Sequence, residues 1–303
     1  MSRLLLFVCG LASVVTLAST GFSESPFATT EPLWPGGAPG STGAAEGDVP
    51  KLIITRVDSD KPTAAVVILP GGGYHGHAMD HEGYQFAEWF RLLGVTSAIC
   101  TYRLRGAGND GKGYGHPIPM QDAQRAVQTL RARAKELNID PQRIGAIGFS
   151  AGGHLCSTIS THFADGDQSS EDPVARVSSR PDFSILCYPV IVFDQKVTHK
   201  GSQRNLLGED PDPALIELLS NERQVTEKTP PTFLFHTVED TAVPVENSVQ
   251  YFAACKKHGV PAELHVFPQG RHGLGLARDT PGASQWPELC ERWLRGIGVV
   301  TKP

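Results

Sequence analysis

The sequence predicts a single α/β domain in which a mostly parallel central sheet is covered by helices on both faces. Short runs of apolar and β-branched residues alternate along the chain with segments of helical periodicity. The strand-like runs are almost continuously apolar, as is typical of strands buried on both faces of a sheet. We find no internal repeat and no low-complexity tract that would indicate another architecture.

Composition restricts the class of partner. The chain has 303 residues, of which 40% are hydrophobic and 19% charged, and its formal net charge is -5. Because no cluster of Lys or Arg is present, we expect neither a nucleic acid nor an anionic membrane as partner. A chain of this length buries enough surface to fold without a structural metal or disulfide.

The first residues have the pattern of a secretory signal peptide. Arg3 is followed by an apolar run from Leu4 to Ala18 and then by small residues. This run is shorter than the roughly 20 residues that span a bilayer. We therefore predict a signal peptide over residues 1–23 and a secreted or periplasmic protein with no membrane association after cleavage. The alternative is an uncleaved N-terminal anchor.

The remaining chain divides into an extended segment over 24–50, rich in Pro, Gly and Ala, and an α/β domain over 51–303. Strands are predicted at Leu52–Val57, Ala64–Leu69, Val95–Tyr102, Arg143–Phe149, Phe183–Tyr188, Thr232–Thr237 and Ala262–Phe267. Helices are predicted at His81–Leu93, Pro119–Leu137, Gly152–Phe163, Glu246–His258 and Trp286–Arg295. Residues 165–180 and 194–230 are expected to form loops and short helices over the C-terminal edge of the sheet, where ligands of α/β proteins bind.

Five cysteines follow the predicted signal peptide, at positions 100, 156, 187, 255 and 290. An odd number leaves at least one thiol unpaired. Each lies in an apolar, periodic segment, so most are expected to be buried as small hydrophobic residues. A single disulfide is the alternative, without a preferred pair, and no CxxC spacing typical of a zinc site occurs.

The residues from Gly148 to Gly152 match the pattern G-x-S-x-G. They lie between a predicted strand and a predicted helix, which is the context in which this pattern places a nucleophilic serine on a strained turn. We therefore predict Ser150 as nucleophile. The alternative is an ordinary glycine-rich turn between a strand and a helix.

A serine hydroxyl needs a positioned base, and His272 is the predicted one. It lies in a Gly-bounded loop directly after the strand Ala262–Phe267. The acid that orients it is expected after the preceding strand, where Asp240 is favoured and the adjacent Glu239 is the alternative. The order Ser, Asp, His is that of the α/β-hydrolases, so we predict the α/β-hydrolase fold.

Negative charge on the reacting carbonyl requires hydrogen-bond donors, which form an oxyanion hole. The backbone N–H of Ala151, the residue after the nucleophile, is one predicted donor. Pro70-Gly71-Gly72-Gly73-Tyr74 follows the strand Ala64–Leu69 and resembles the HGGG segment of esterases, with Pro70 in the place of His. Gly72 and Gly73 are the other predicted donors.

The sequence as a whole resembles the carbohydrate-esterase branch of the α/β-hydrolases, which includes acetylxylan esterases and bifunctional feruloyl/acetylxylan esterases. The matching stretches are Leu33–Pro39, Pro70–Tyr74, His81–Gly83, Tyr102–Leu104, Gly148–His154, Tyr188–Ile191, Leu206–Gly208, Pro230–Thr237, Val243–Ser248 and Gly270–Gly273. The resemblance implies removal of acetyl or feruloyl groups from a plant polysaccharide such as xylan, without a cofactor, by Ser150, Asp240 and His272. The sequence departs from the family at Glu239, where a second Asp is expected, and at Arg271, where Gly is usual.

Several other residues suggest binding roles. Tyr74 and Tyr188 are predicted to contact the substrate, and Trp34 is a further stacking candidate, although packing is an equal alternative for all three. Arg103 and Asp122 are predicted to form an ion pair beneath the site.

His75, His77 and His81 invite a metal interpretation. They follow a glycine-rich loop rather than lie on a strand, so we expect them to line the pocket or cap a helix, and we predict no metal.

The predicted chemistry is ester hydrolysis through an acyl-enzyme, on a small-molecule or polysaccharide ester. The alternatives are a general short-chain carboxylesterase and a non-catalytic binding module on the same fold. A non-catalytic module would be expected to lack one of the three predicted catalytic residues. The sequence makes no prediction of the oligomeric state.

Overall fold

A computed structural model describes residues 27–194 and 196–301 of the chain, so the predicted signal peptide lies outside the described residues. Eight strands form one sheet in the order β1-β2-β4-β3-β5-β6-β7-β8. The strands are β1 (Ala28–Pro32), β2 (Lys51–Thr55), β3 (Thr63–Leu69), β4 (Thr96–Cys100), β5 (Ile139–Phe149), β6 (Ser184–Cys187), β7 (Thr232–Thr237) and β8 (Ala262–Phe267).

The sheet is antiparallel at one side and parallel over the rest. β2 runs antiparallel to both β1 and β4, whereas β4, β3, β5, β6, β7 and β8 pair in parallel. Leu69 of β3 pairs with Gly148 of β5, and Phe149 pairs with Cys187 of β6. The loops that follow these strands therefore leave the sheet at the same edge.

Helices cover both faces. They are α1 (Gln85–Leu92), α2 (Ile118–Ala132), α3 (Ala134–Leu137), α4 (Ala151–Thr161), α5 (Lys200–Leu207), α6 (Pro213–Leu218), α7 (Glu246–Lys257) and α8 (Trp286–Gly296). One core layer joins the sheet to α2, α4 and α7, and the other joins it to α1 and α8. Neighbouring strand residues alternate between these layers, as Val67 and Ile68 do. The predicted single-domain α/β fold is confirmed.

The segment predicted as an extended lead-in is part of this fold. β1 pairs with β2, with Thr30 opposite Ile53, and Leu33 is buried. Trp34 Nε1 donates a hydrogen bond to Asp122 Oδ1 over 2.9 Å. The short Pro- and Gly-flanked stretch has no clear apolar alternation of its own, so only its pairing partner identifies it as an edge strand.

Arg103 and Asp122 form the predicted ion pair, and both side chains are fully buried. Arg103 Nε donates to Asp122 Oδ2 over 2.8 Å and Nη2 donates to Oδ1 over 2.7 Å. Nη1 of the same guanidinium donates to the carbonyl oxygen of Pro39 over 2.6 Å. The pair thus fastens the N-terminal segment to the start of α2.

The five cysteines after the predicted signal peptide are all buried and unpaired. Burial raises the pKa of each thiol, so all five are packing residues. Within the residues that the structure describes, no helix is both long and apolar enough to cross a membrane.

Candidate active site

Ser150 occupies a sharp turn between β5 and α4. Its backbone has φ 53° and ψ -118°, a conformation that a residue with a side chain rarely adopts. A Cβ atom at Gly148 would lie 2.1 Å from the carbonyl oxygen of Gly152, and one at Gly152 would lie 2.1 Å from that of Leu69. The two glycines of the motif are therefore required by close contact of backbone with backbone.

The structure brings Ser150, His272 and Asp240 together in one hydrogen-bonded relay. His272 Nε2 lies 2.8 Å from Ser150 Oγ, and His272 Nδ1 lies 2.6 Å from Asp240 Oδ2. With Nδ1–H donating to the carboxylate, Nε2 accepts from the serine hydroxyl, as a general base requires. Asp240 is fully buried at its side chain, whereas His272 is 25% exposed and can meet a substrate.

Asp240 is held as a carboxylate by its surroundings. Its Oδ1 accepts the backbone N–H groups of Ala242 and Val243 over 3.0 and 2.9 Å. Burial alone raises the pKa of Asp240, but hydrogen bonds from His236, His272 and Val243 outweigh it and lower the pKa below its usual range. An ionised carboxylate 2.6 Å from Nδ1 favours the tautomer of His272 that carries its proton on Nδ1.

Glu239, the alternative acid, takes a different position. It is exposed, and its Oε2 accepts the backbone N–H of Gly270 over 3.0 Å. Thr237 Oγ1 donates to the carbonyl oxygen of the same glycine over 2.8 Å. Glu239 thus holds the beginning of the loop over residues 268–282, named the His272 loop, while Asp240 contacts the imidazole.

The predicted oxyanion donors lie on two turns beside Ser150. The N–H of Gly71 donates to Glu82 Oε2, and Gly72 and Gly73 have φ angles of 132° and 67°. Among the described residues, no hydrogen bond uses the N–H of Gly72, Gly73 or Ala151, so these three donors are unpaired. Asn205 Nδ2, on α5, donates to the carbonyl oxygen of Gly73 over 2.8 Å and so links the glycine-rich loop to that helix.

The structure corrects the assignment of Tyr74 and Tyr188 to substrate binding. Tyr74 is 1% exposed and Tyr188 is 2% exposed, so neither ring offers a face to a ligand. The hydroxyl of Tyr74 lies 2.9 Å from His154 Nδ1, and the ring of Tyr188 stands edge-on to His272 with centroids 5.2 Å apart. Both residues pack beneath the site, which was the alternative that the sequence left open.

The three histidines after the glycine loop do not converge. His77 stands edge-on to Tyr102 with ring centroids 4.6 Å apart, and burial lowers its pKa to about 4. His81 Nε2 lies 3.7 Å from Glu82 Oε1, close to the His272 loop. In the described part of the chain, no group of three or more His, Cys, Asp or Glu side chains is arranged to hold a metal ion.

Two buried polar residues around the site were not predicted. His236 Nε2 lies 2.8 Å from the carbonyl oxygen of Val243 and 3.5 Å from Asp240 Oδ2, and its Nδ1 lies 2.8 Å from Ser248 Oγ. The sequence feature that marks His236 is the occurrence of a histidine inside an otherwise apolar strand, β7. Glu82 is 2% exposed and contacts both Tyr188 and the loop Pro70–Tyr74, which carries the predicted donors Gly72 and Gly73 and is named the oxyanion loop. Two sequence features mark it: Glu82 lies within the family-like stretch His81–Gly83, and its helical position is one that the neighbouring apolar residues place towards the core.

Comparison with known proteins finds one matching family model and several relatives. The family model BD-FAE matches residues 53–254. The acetylxylan esterase of Xylanibacter ruminicola is 36% identical over 237 residues, which cover 77% of this chain and 45% of that protein. The endo-1,4-beta-xylanase B of Butyrivibrio fibrisolvens is 36% identical over 236 residues, which cover 78% and 36%. The chain thus spans less than half the length of these two relatives.

Solved structures match over more of their length. The acetyl ester-xyloside bifunctional hydrolase from Caldicellulosiruptor lactoaceticus is 46% identical, with a TM-score of 0.83 over 90% of this chain and 97% of that one. The esterase Est2 from Thermogutta terrifontis is 25% identical, with a TM-score of 0.71 over 91% and 94%. With its α/β-hydrolase fold, this chain belongs to the BD-FAE family.

Proposed function

We propose that the protein is a secreted serine esterase that removes acetyl groups from plant polysaccharides such as xylan. The observation that carries the proposal is the relay from Ser150 through His272 to Asp240, with hydrogen bonds of 2.8 and 2.6 Å, in a member of the BD-FAE family. Feruloyl esters are the second acyl class in the proposal.

In the proposed mechanism, Ser150 Oγ attacks the ester carbonyl as its proton passes to His272 Nε2. The N–H groups of Gly72, Gly73 and Ala151 stabilise the negative oxygen of the tetrahedral intermediate. The C–O bond to the sugar then breaks, and the leaving alkoxide takes the proton from His272. A water molecule, deprotonated by His272, attacks the acyl-enzyme, and the acid leaves as Ser150 regains its proton.

The named relatives support a xylan ester as substrate. One is an acetylxylan esterase, one a xylanase, and the most similar of the structures described above is an acetyl ester-xyloside bifunctional hydrolase. Secretion agrees with this substrate, because a polysaccharide is met outside the cell, and it is further supported by the signal-peptide pattern over residues 1–23.

A general short-chain carboxylesterase is the second candidate. A specific observation favours it: Thermogutta terrifontis Est2, a structural relative, has been solved with propionate and with butyrate bound, at 26% and 25% identity to this chain. An acyl site that accepts these acids would not by itself select acetylated xylan.

The test compares release of acetate from acetylated xylan, release of ferulate from a feruloyl ester, and hydrolysis of 4-nitrophenyl acetate and butyrate. Ser150→Ala should lower every activity by about a thousandfold or more. Ser284→Ala, at an exposed serine, is the matched control and should retain wild-type rates. Hydrolysis of both nitrophenyl esters without acetate release from xylan would select the general carboxylesterase. A Ser150→Ala variant with wild-type rates would reject the mechanism.

A further inference from the structure

A buried carboxylate that the proposed mechanism does not use lies directly behind the site. Glu82 is 2% exposed and belongs to a π-helical turn, Asp80–Tyr84, that precedes α1. Burial raises its pKa, although the nearby His81 and the hydrogen bonds from Tyr188 and Gly71 oppose this shift. Removing a carboxylate from water is costly, so the contacts that compensate for it indicate what the group does.

Both oxygens of Glu82 accept hydrogen bonds from elements of the site. The backbone N–H of Gly71, on the oxyanion loop, donates to Oε2 over 2.8 Å. The hydroxyl of Tyr188, just after β6, donates to Oε1 over 2.9 Å. The same hydroxyl accepts the backbone N–H of Gly275, on the His272 loop, over 2.9 Å. One side chain therefore joins the oxyanion loop to the His272 loop through a single tyrosine.

These contacts are close to the reacting groups. A Cβ atom placed on Gly71 would lie 2.6 Å from Glu82 Oε2 and 3.0 Å from Ser150 Cβ, so little more than the thickness of one backbone separates the carboxylate from the nucleophile. On the other side, the ring of Tyr188 stands edge-on to His272 with centroids 5.2 Å apart. A small shift of Glu82 would therefore be transmitted both to the oxyanion donors and to the base.

We propose that Glu82 is a positioning residue that sets the distance between the oxyanion loop and His272 by acting through Tyr188. A carboxylate suits this place because it has two accepting oxygens and no donor, whereas both of its partners are donors. An amide at position 82 would direct an NH2 group at one of them. The inference rests on the Ser150 mechanism proposed above but not on the choice of polysaccharide.

The test uses Glu82→Gln in the full-length protein with 4-nitrophenyl acetate as substrate. The variant should lower kcat between about tenfold and a hundredfold, since a displacement of about 1 Å at a reacting group costs this much. KM should stay within about twofold, because no contact to the ground-state substrate is lost. Glu88→Gln is the matched control: it is the same change on α1, where Glu88 pairs with Arg91 at the surface, and it should leave kcat unchanged.

Tyr188→Phe tests the coupling with a smaller change, because the ring against His272 remains and only the hydroxyl is lost. It should lower kcat to a similar extent, and the double variant should lose little more than the worse single variant. Thermal unfolding identifies a variant that fails to fold; if Glu82→Gln does so, Tyr188→Phe carries the test.

A folded Glu82→Gln with wild-type kcat would overturn the proposal, as would a wild-type kcat in Tyr188→Phe or additive losses in the double variant. Acetylated xylan is absent from this assay, so rejection of xylan as substrate would leave the result intact. Failure of the mechanism itself is detected separately by Ser150→Ala.

Discussion

The adjacent carboxylates of Glu239 and Asp240 contact two different points of the His272 loop. Asp240 contacts the imidazole over 2.6 Å from a fully buried position, whereas exposed Glu239 accepts the N–H of Gly270. Neighbouring residues in a turn direct their side chains differently, so only one of the two can face His272. Composition alone made both acids candidates, and the path of the turn after β7 distinguishes them.

Exchanging each acid for its amide tests this division. Asp240→Asn should lower kcat/KM on 4-nitrophenyl acetate by about 10⁴-fold, because an amide NH2 group favours the wrong tautomer of His272. Glu239→Gln keeps an oxygen that can accept from Gly270, so its loss should stay below about tenfold. Equal losses in the two variants would contradict the division of roles.

At the scale of elements, the junction between β5 and α4 determines where the nucleophile lies. The backbone of α4 approaches β3 so closely that Gly152 leaves no room for a Cβ atom: one built there would meet the carbonyl oxygen of Leu69 at 2.1 Å. This junction follows from local sequence, since a strand, a Gly-flanked serine and a helix occur in succession. The sequence therefore predicts the end of the strand at Phe149 correctly, and it predicts the start of the helix one residue late, at Gly152 rather than Ala151.

Gly152→Ala should separate α4 from β3 and displace Ser150. We expect an overpacking cost of about 1–3 kcal/mol in unfolding free energy and a clear fall in kcat. Gly296→Ala, at the end of α8, has open space around its Cβ position and is the matched control. It should leave activity unchanged and the stability equal or slightly higher. Urea unfolding and kcat measured on both variants test this, and equal effects would argue against a steric origin.

At the scale of the whole molecule, buried histidines make the free energy of unfolding depend on pH. His154 is fully buried: its Nδ1 lies 2.9 Å from the hydroxyl of Tyr74, and its Nε2 lies 2.8 Å from the carbonyl oxygen of Leu219. Burial lowers its pKa to about 3 from an ordinary value of 6.5. Between these values the unfolded chain binds a proton at this position and the folded protein does not.

His154 should therefore reduce the unfolding free energy as the pH falls from 6.5 towards 3, by at most about 1.4 kcal/mol per pH unit. Glu222, whose pKa burial raises to about 7, acts in the opposite direction over part of this range. The informative measurement is thus the difference in slope between the wild type and His154→Gln, from urea unfolding at pH 6.5 and 5. The slope should fall in this variant but not in His258→Gln, where the imidazole is exposed. An unchanged slope in His154→Gln would refute the prediction.

The complete fold changes the role assigned to two tyrosines and adds two buried polar residues near the site. The sequence suggested that Tyr74 and Tyr188 contact substrate, yet both rings are buried beneath the loops that they support. Aromatic residues beside a motif fit either role until the depth of the loop is known. Glu82 and His236 were overlooked for the converse reason, because polar residues in apolar elements are identified as functional only when their partners are known.

What the sequence by itself determined is whatever depends on short stretches of chain: the alternation of strands and helices, the glycine-flanked turn at Ser150, and the order of the predicted catalytic residues along the α/β-hydrolase fold. Only the tertiary structure decided that Glu239 contacts Gly270 rather than His272, which tyrosines are buried, and how Glu82 joins two loops. The contacts of His272 with Asp240 and Ser150 link residues 32 and 122 positions apart in the chain, and that of Glu82 with Tyr188 links residues 106 apart. The register of the parallel sheet aligns the ends of its strands, and that register depends on the whole core rather than on any one segment.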